Sequence, residues 1–128
     1  MRSYTIAIAS LAIDAPHRWT DNILSQFAIP DVISVRRGVA RKLPYAAVVR
    51  LAIIRLLHTE LRIGVGDAIR LTAELLRSEA AGVFESRQLR LSVDRADVER
   101  LVNSRLADAL ESSPIRRRGR PVGRTGSK

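Results

Sequence analysis

The 128-residue chain has no cysteine. That excludes disulfides, thiolate metal sites and cysteine catalysis, and it suits a reducing compartment. Its two histidines, His17 and His58, are too few and too isolated for a histidine metal cage. Aromatic residues are also scarce: one Trp, two Tyr and two Phe, so the core must be built from Leu, Ile, Val and Ala. For the same reason stacking on single-stranded RNA is poorly provided for, with Tyr4 and Tyr45 the only loose candidates. No apolar run approaches the roughly 20 residues of a membrane span. The run Ile6 to Ile13 sits at the low end of secretory apolar segments and has only Arg2 as a basic flank. The chain is expected to be soluble and cytoplasmic.

Chemistry-bearing constellations are missing too. No phosphate-binding loop, Ser/His/Asp set or metal-ligand spacing is present, and the acids Asp94, Asp97 and Glu99, like Glu74 and Glu79, read as helix-cap and surface charges. No enzyme, metal, cofactor or small-molecule ligand is expected. What the chain does have is positive charge, 22 Lys and Arg against 13 Asp and Glu, a net +9. It is unevenly spread. Ser112 to Lys128 carries six basic residues and no acid, which leaves sixteen basic residues against thirteen acids elsewhere. The expected partner is a polyanion, and the expected setting is nucleoid-associated.

The stretch Asp14 to Phe27, DAPHRWTDNILSQF, organises the rest. Trp19, Ile23, Leu24 and Phe27 recur at helical spacing as one apolar stripe. Arg18, Asp21, Asn22 and Ser25 form a second stripe of short polar and charged groups, with His17 at its head. Asp14 is expected to cap this helix and Pro16 to occupy its first turn. One face anchored and one face offering hydrogen-bonding groups is what a recognition helix needs. Asn22 suits adenine, and Arg18 suits guanine or phosphate. An ordinary amphipathic surface helix has the same local pattern, so the flanking segments decide. Thr5 to Ile13 before it is short, apolar and Ala-rich. A short helix is favoured there, though a buried strand also fits so brief a run.

Val32 to Leu43, VISVRRGVARKL, reads as a hairpin turning at Arg37-Gly38, with Arg36, Arg37, Arg41 and Lys42 at its tip and second strand. Pro44 opens a third helix, apolar nearly all round from Ala46 to Leu57, as a central buried helix is. His58 reads as a histidine at the edge of the core or at an interface, sharing a face with Arg55 and Arg62. Gly64 or Gly66 separates this helix from a fourth, whose inward face is Val65, Ala68, Ile69, Thr72, Leu75 and Leu76, and which Gly82 is expected to stop. Val83 to Val93 reads as a second hairpin turning near Ser86 to Gln88. Asp94 then caps a last helix, Arg95 to Glu111, whose stripe of Val98, Leu101, Val102, Leu106, Ala109 and Leu110 is either core or dimer seam.

With these parts in order, residues 5 to 80 resemble the DNA-binding domain of the MerR family of transcription regulators, best over Gly38 to Leu71. A basic, glycine-containing wing running into an apolar helix, then a glycine-containing break and a further helix, carries the resemblance. It implies a mainly α fold with a small β-hairpin wing, a winged helix-turn-helix. It also implies binding to double-stranded DNA, usually as a homodimer. The chain departs from that family in having Thr20-Asp21-Asn22 where an Arg-Tyr-Tyr run is common. It also has no recognisable long coiled-coil helix, so a dimer must use other surfaces. In the tail, Arg118-Gly119-Arg120-Pro121, preceded by Arg116 and Arg117, resembles the core of an AT-hook. Its glycine lets the backbone sit deep, and its flanking arginines suit a narrow minor groove. The expected organisation is a winged helix-turn-helix over 1–81, a hairpin and helix over 82–111, and a disordered basic tail over 112–128. The expected role is a sequence-selective transcription regulator. The competing readings are a nucleoid-associated protein, or an antitoxin or adaptor, acting mainly through charge.

Overall fold

The structure, a computed structural model, describes residues 2–30, 32, 41–77 and 82–112. Among them the chain is mainly helical, with two small two-stranded antiparallel sheets. In order these are β1 (Ser3–Tyr4), α1 (Ile6–Ala12), α2 (His17–Gln26), β2 (Leu43–Pro44), α3 (Tyr45–Glu60), α4 (Val65–Arg77), β3 (Val83–Glu85), β4 (Arg90–Ser92) and α5 (Arg95–Ser112). The tail residues Arg116 and Arg117 with Arg118 to Pro121 lie outside the described residues, as do Arg36, Arg37 and Gly38, the expected hairpin tip.

The central helix is the one that composition predicts. α3 buries Ala47, Val48, Val49, Leu51, Ile53, Ile54 and Leu57, on nearly every side of its cylinder. It packs against α4, α5, α1 and β2. An α-helix can hide that much surface only when neighbours surround it, so the other helices are arranged about this one. α4 meets it with Ala68, Thr72 and Leu75, the centre of the predicted inward face. The buried hydroxyl of Thr72 returns a hydrogen bond to Ala68 O at 2.7 Å.

Whether the last helix is core or seam is decided by its contacts. α5 packs on α1 and α3, and Val102 and Leu106 belong to the same core as Leu51 and Ile54. Ala109 is buried as well, whereas Leu101 and Leu110 at the two edges of the stripe are exposed. Asp94 caps α5 as expected, accepting from the amide of Asp97 at 3.1 Å. Burial and then the Glu99 carboxylate push the hydroxyl pKa of Tyr45, the first residue of α3, above its ordinary value.

The local expectation for Asp14 is corrected. Asp14 does not cap α2; the N-cap is Pro16, which makes no side-chain cap hydrogen bond. Asp14 instead takes the left-handed conformation, φ 56°, just past the end of α1. There the amide of Ala15 donates to Ser10 O at 2.9 Å and that of Asp14 to Leu11 O at 3.3 Å, the paired bonds of a Schellman turn. Of the two glycines expected to separate α3 from α4, Gly64 lies in the connection and Gly66 inside α4, while the positive φ there, 59°, falls on Arg62. α4 is described as far as Arg77, and Gly82, expected to stop it, is the next described residue. Gly82 adopts φ 92° with its missing Cβ position only 2.2 Å from Val93 O, so no other residue fits where the second hairpin begins.

Leu43, expected to end the first hairpin, pairs with Tyr4 while Pro44 pairs with Ser3, in an N-terminal strand for which the sequence carries no alternating signal. The second hairpin is as expected, with Phe84 opposite Leu91.

Because α5 shares one core with the helices before it, Leu106→Ala destabilises the whole chain by about 2–5 kcal/mol. Urea unfolding followed by circular dichroism keeps a single transition. Two transitions, with only the minor one shifted, would show that α5 unfolds by itself.

Candidate nucleic-acid interface

α2 is a weak helix taken alone: ten residues, with no side-chain cap and no acid in its first turn. Tertiary contacts must hold it, and three are visible. Ile23 and Leu24 are buried in the core. The Ser10 hydroxyl of α1 donates to Thr20 Oγ1 of α2 at 2.8 Å, with both side chains buried. Away from water such a bond is costly to break, since each hydroxyl would be stranded. Thirdly, Trp19 packs against α3. The Arg55 guanidinium lies 4.9 Å from its ring centroid, and the His58 ring is 6.1 Å away.

His58 is itself fixed. Its Nδ1 lies 2.8 Å from Ile63 O, so that nitrogen carries the proton and donates. The histidine ties the end of α3 to the connection that follows, at the edge of the core as its sequence position suggested. The stack of Trp19, Arg55 and His58 has no signature of its own in the sequence. Its signal is present there only in two pieces: a tryptophan on the apolar stripe, and Arg55 and His58 on one face.

With its inner face so held, α2 presents His17, Arg18, Asn22 and Ser25 to solvent. Asp21, in the same predicted stripe, is only half-exposed, and its carboxylate is 3.6 Å from the Arg41 guanidinium. That ion pair sets Arg41, two residues before β2, against α2. It also occupies both charges, so Asp21 orients Arg41 rather than standing free. Lys42, next along, is exposed. The structure thus places Arg41 beside the polar face of α2, while Arg36 and Arg37, expected in the first hairpin, lie outside the described residues.

At its N-terminal end α2 carries the positive end of the helix dipole together with His17 and Arg18, so an anion is favoured there. Four acids elsewhere pair with arginines of their own helices. Asp67 pairs with Arg70, Glu74 with Arg77, Asp97 with Arg100, and Glu99 with Arg95 at 2.9 Å. Among the described residues no group of three or more His, Cys, Asp or Glu side chains is placed to hold a metal ion. No helix among them is long and apolar enough to cross a membrane.

No family model, curated protein or solved structure matches this chain.

Arg55→Ala removes the cation over the only tryptophan, which makes the site measurable. The substitution is expected to destabilise by about 0.5–2 kcal/mol and to shift Trp19 fluorescence in the folded state. An unchanged emission spectrum would show that the stack does not persist in solution.

Proposed function

We propose that the chain is a sequence-selective double-stranded DNA-binding protein, a transcription regulator of the winged helix-turn-helix type. The observation that carries this is the two-sidedness of α2. Its inner face is fixed by Ile23, Leu24, Trp19 and the Ser10–Thr20 bond, and its outer face offers Arg18, Asn22 and Ser25. A ten-residue helix is roughly 15 Å long, short enough to lie along a major groove about 12 Å wide. In this reading Asn22 takes adenine through its paired donor and acceptor, Arg18 takes guanine or a phosphate, and His17 and Ser25 fix register.

α1 and the turn through Asp14 brace the reading helix from behind, in the order helix, turn, helix. Arg41, held beside α2 by Asp21, marks where a basic wing leaves the body, so Arg36, Arg37 and Lys42 would meet flanking phosphates. The tail, with Arg116 and Arg117 and the Arg118-Gly119-Arg120-Pro121 core, would follow the minor groove beside it. The competing reading, attraction of any polyanion to a +9 chain, as in a nucleoid-associated, antitoxin or adaptor protein, needs only the charge. It does not call for an uncapped helix fixed this firmly with a neutral Asn22 at the middle of its open face.

The two readings separate by measurement. Selection of bound sequences from a random duplex pool should yield a defined site. Arg18→Ala or Asn22→Ala should each lose about 1–3 kcal/mol of preference for it over unrelated duplex. Equal discrimination after both changes would remove α2 from the interface. Deleting residues 114–128 should weaken binding to every duplex and flatten the dependence of log K on log salt by about 0.9 for each phosphate that the tail had neutralised. An unaltered slope would take the tail off the DNA.

A further inference from the structure

Three of the exposed large apolar side chains gather in one place. Leu56 of α3 and Leu101 of α5 are 37% and 40% exposed, and they line an open groove of about 330 Å³ where those helices splay, floored by Ala52 and Val98. Leu11, 58% exposed, borders a neighbouring depression that shares Asp14 and Arg55 with the groove. Scattered surface leucines need no explanation, but a continuous patch with a charged rim marks a place where something docks.

The rim indicates what. It carries Asp14 and Glu60 on one hand, and Arg55 and Arg105 on the other. None of the four belongs to an ion pair among the described residues. Two acids and two bases cancel, so on a chain of net +9 this is a locally neutral surface. Nucleic acid gains nothing from it, because the carboxylates repel phosphate and the leucines offer no donors. A strongly acidic or strongly basic partner would meet two like charges. A twofold contact, by contrast, brings a patch against itself, so charged groups on its rim find opposite charges only where the patch carries both signs. It is also where two copies of a positively charged chain can approach with least repulsion.

We propose that the groove between α3 and α5, with Leu11 at its margin, is the surface through which two copies of this chain associate. Leu56 and Leu101 of each copy are buried in the contact, and Arg105 of each faces a carboxylate of the other. The edge of α5 that the monomer's core leaves uncovered is thereby covered.

The test is sedimentation velocity of the full chain over a concentration series without nucleic acid, so that it stands or falls apart from DNA binding. A reversible monomer–dimer equilibrium is expected. Leu56→Glu and Leu101→Glu each weaken it by about tenfold or more, and circular dichroism stays unchanged because both side chains already reach solvent. Arg105→Glu, which leaves the rim acidic, weakens it as well. Leu89→Glu, at the still more exposed tip of the second hairpin, does not. A monomer at every concentration, or a dimer that both groove variants leave intact, overturns the proposal. So does a dimer indifferent to Arg105→Glu, which would remove the charge match on which the choice of a second copy rests.

Discussion

The fold depends on how little of α3 is left free. Seven of its residues are buried, distributed around the helix rather than along one stripe, so it cannot exist in water without companions on most sides. α1, α4 and α5 are those companions, and β2 leads directly into its first residue. Each is too short or too weakly patterned to be stable by itself; their stability comes from apolar area buried against this one cylinder.

α2 is the clearest case of a helix made by its surroundings. Without a side-chain cap or a first-turn acid, it gains little from its own ends. Its inner residues are instead locked by packing, by a buried hydroxyl pair and by an aromatic–guanidinium contact reaching across to α3. Borrowed stability of this kind suits a reading element. The outer positions are relieved of any structural duty, and Arg18, Asn22 and Ser25 are free to be chosen for what they touch. Asp21 shows the limit of that freedom, since its carboxylate is engaged by Arg41.

The surface divides along the same lines. The polar face of α2 and Arg41, just before β2, lie together at the Asp21–Arg41 pair. The groove of α3 and α5 is apolar and electrically balanced. These are two different chemistries, and the two proposals assign them separately, the first to phosphate and base edges and the second to a surface like itself. Arg55 belongs to both neighbourhoods, lying over Trp19 of α2 while lining the groove, so the two surfaces adjoin through a single side chain.

Composition and periodicity were sufficient for the helices. The all-round apolar run of α3, the inward stripes of α2 and α4, the second hairpin and the Asp94 cap could be read because each is set by spacing within one segment. Features made by residues far apart, or by a choice between two local roles, could not. Aspartate both caps helices and tolerates positive φ, and only the chain path put Asp14 in the second role, after α1. Ser3–Tyr4 is a strand solely because Leu43–Pro44 passes beside it. The stripe on α5 is core because α5 turns back onto α1 and α3, and that return also leaves Leu101 at the edge of a groove. Sequence alone determined which faces are apolar, since that follows from side-chain type at helical spacing. Tertiary structure decided which of those faces the molecule covers for itself, since that depends on where segments distant along the chain come to lie.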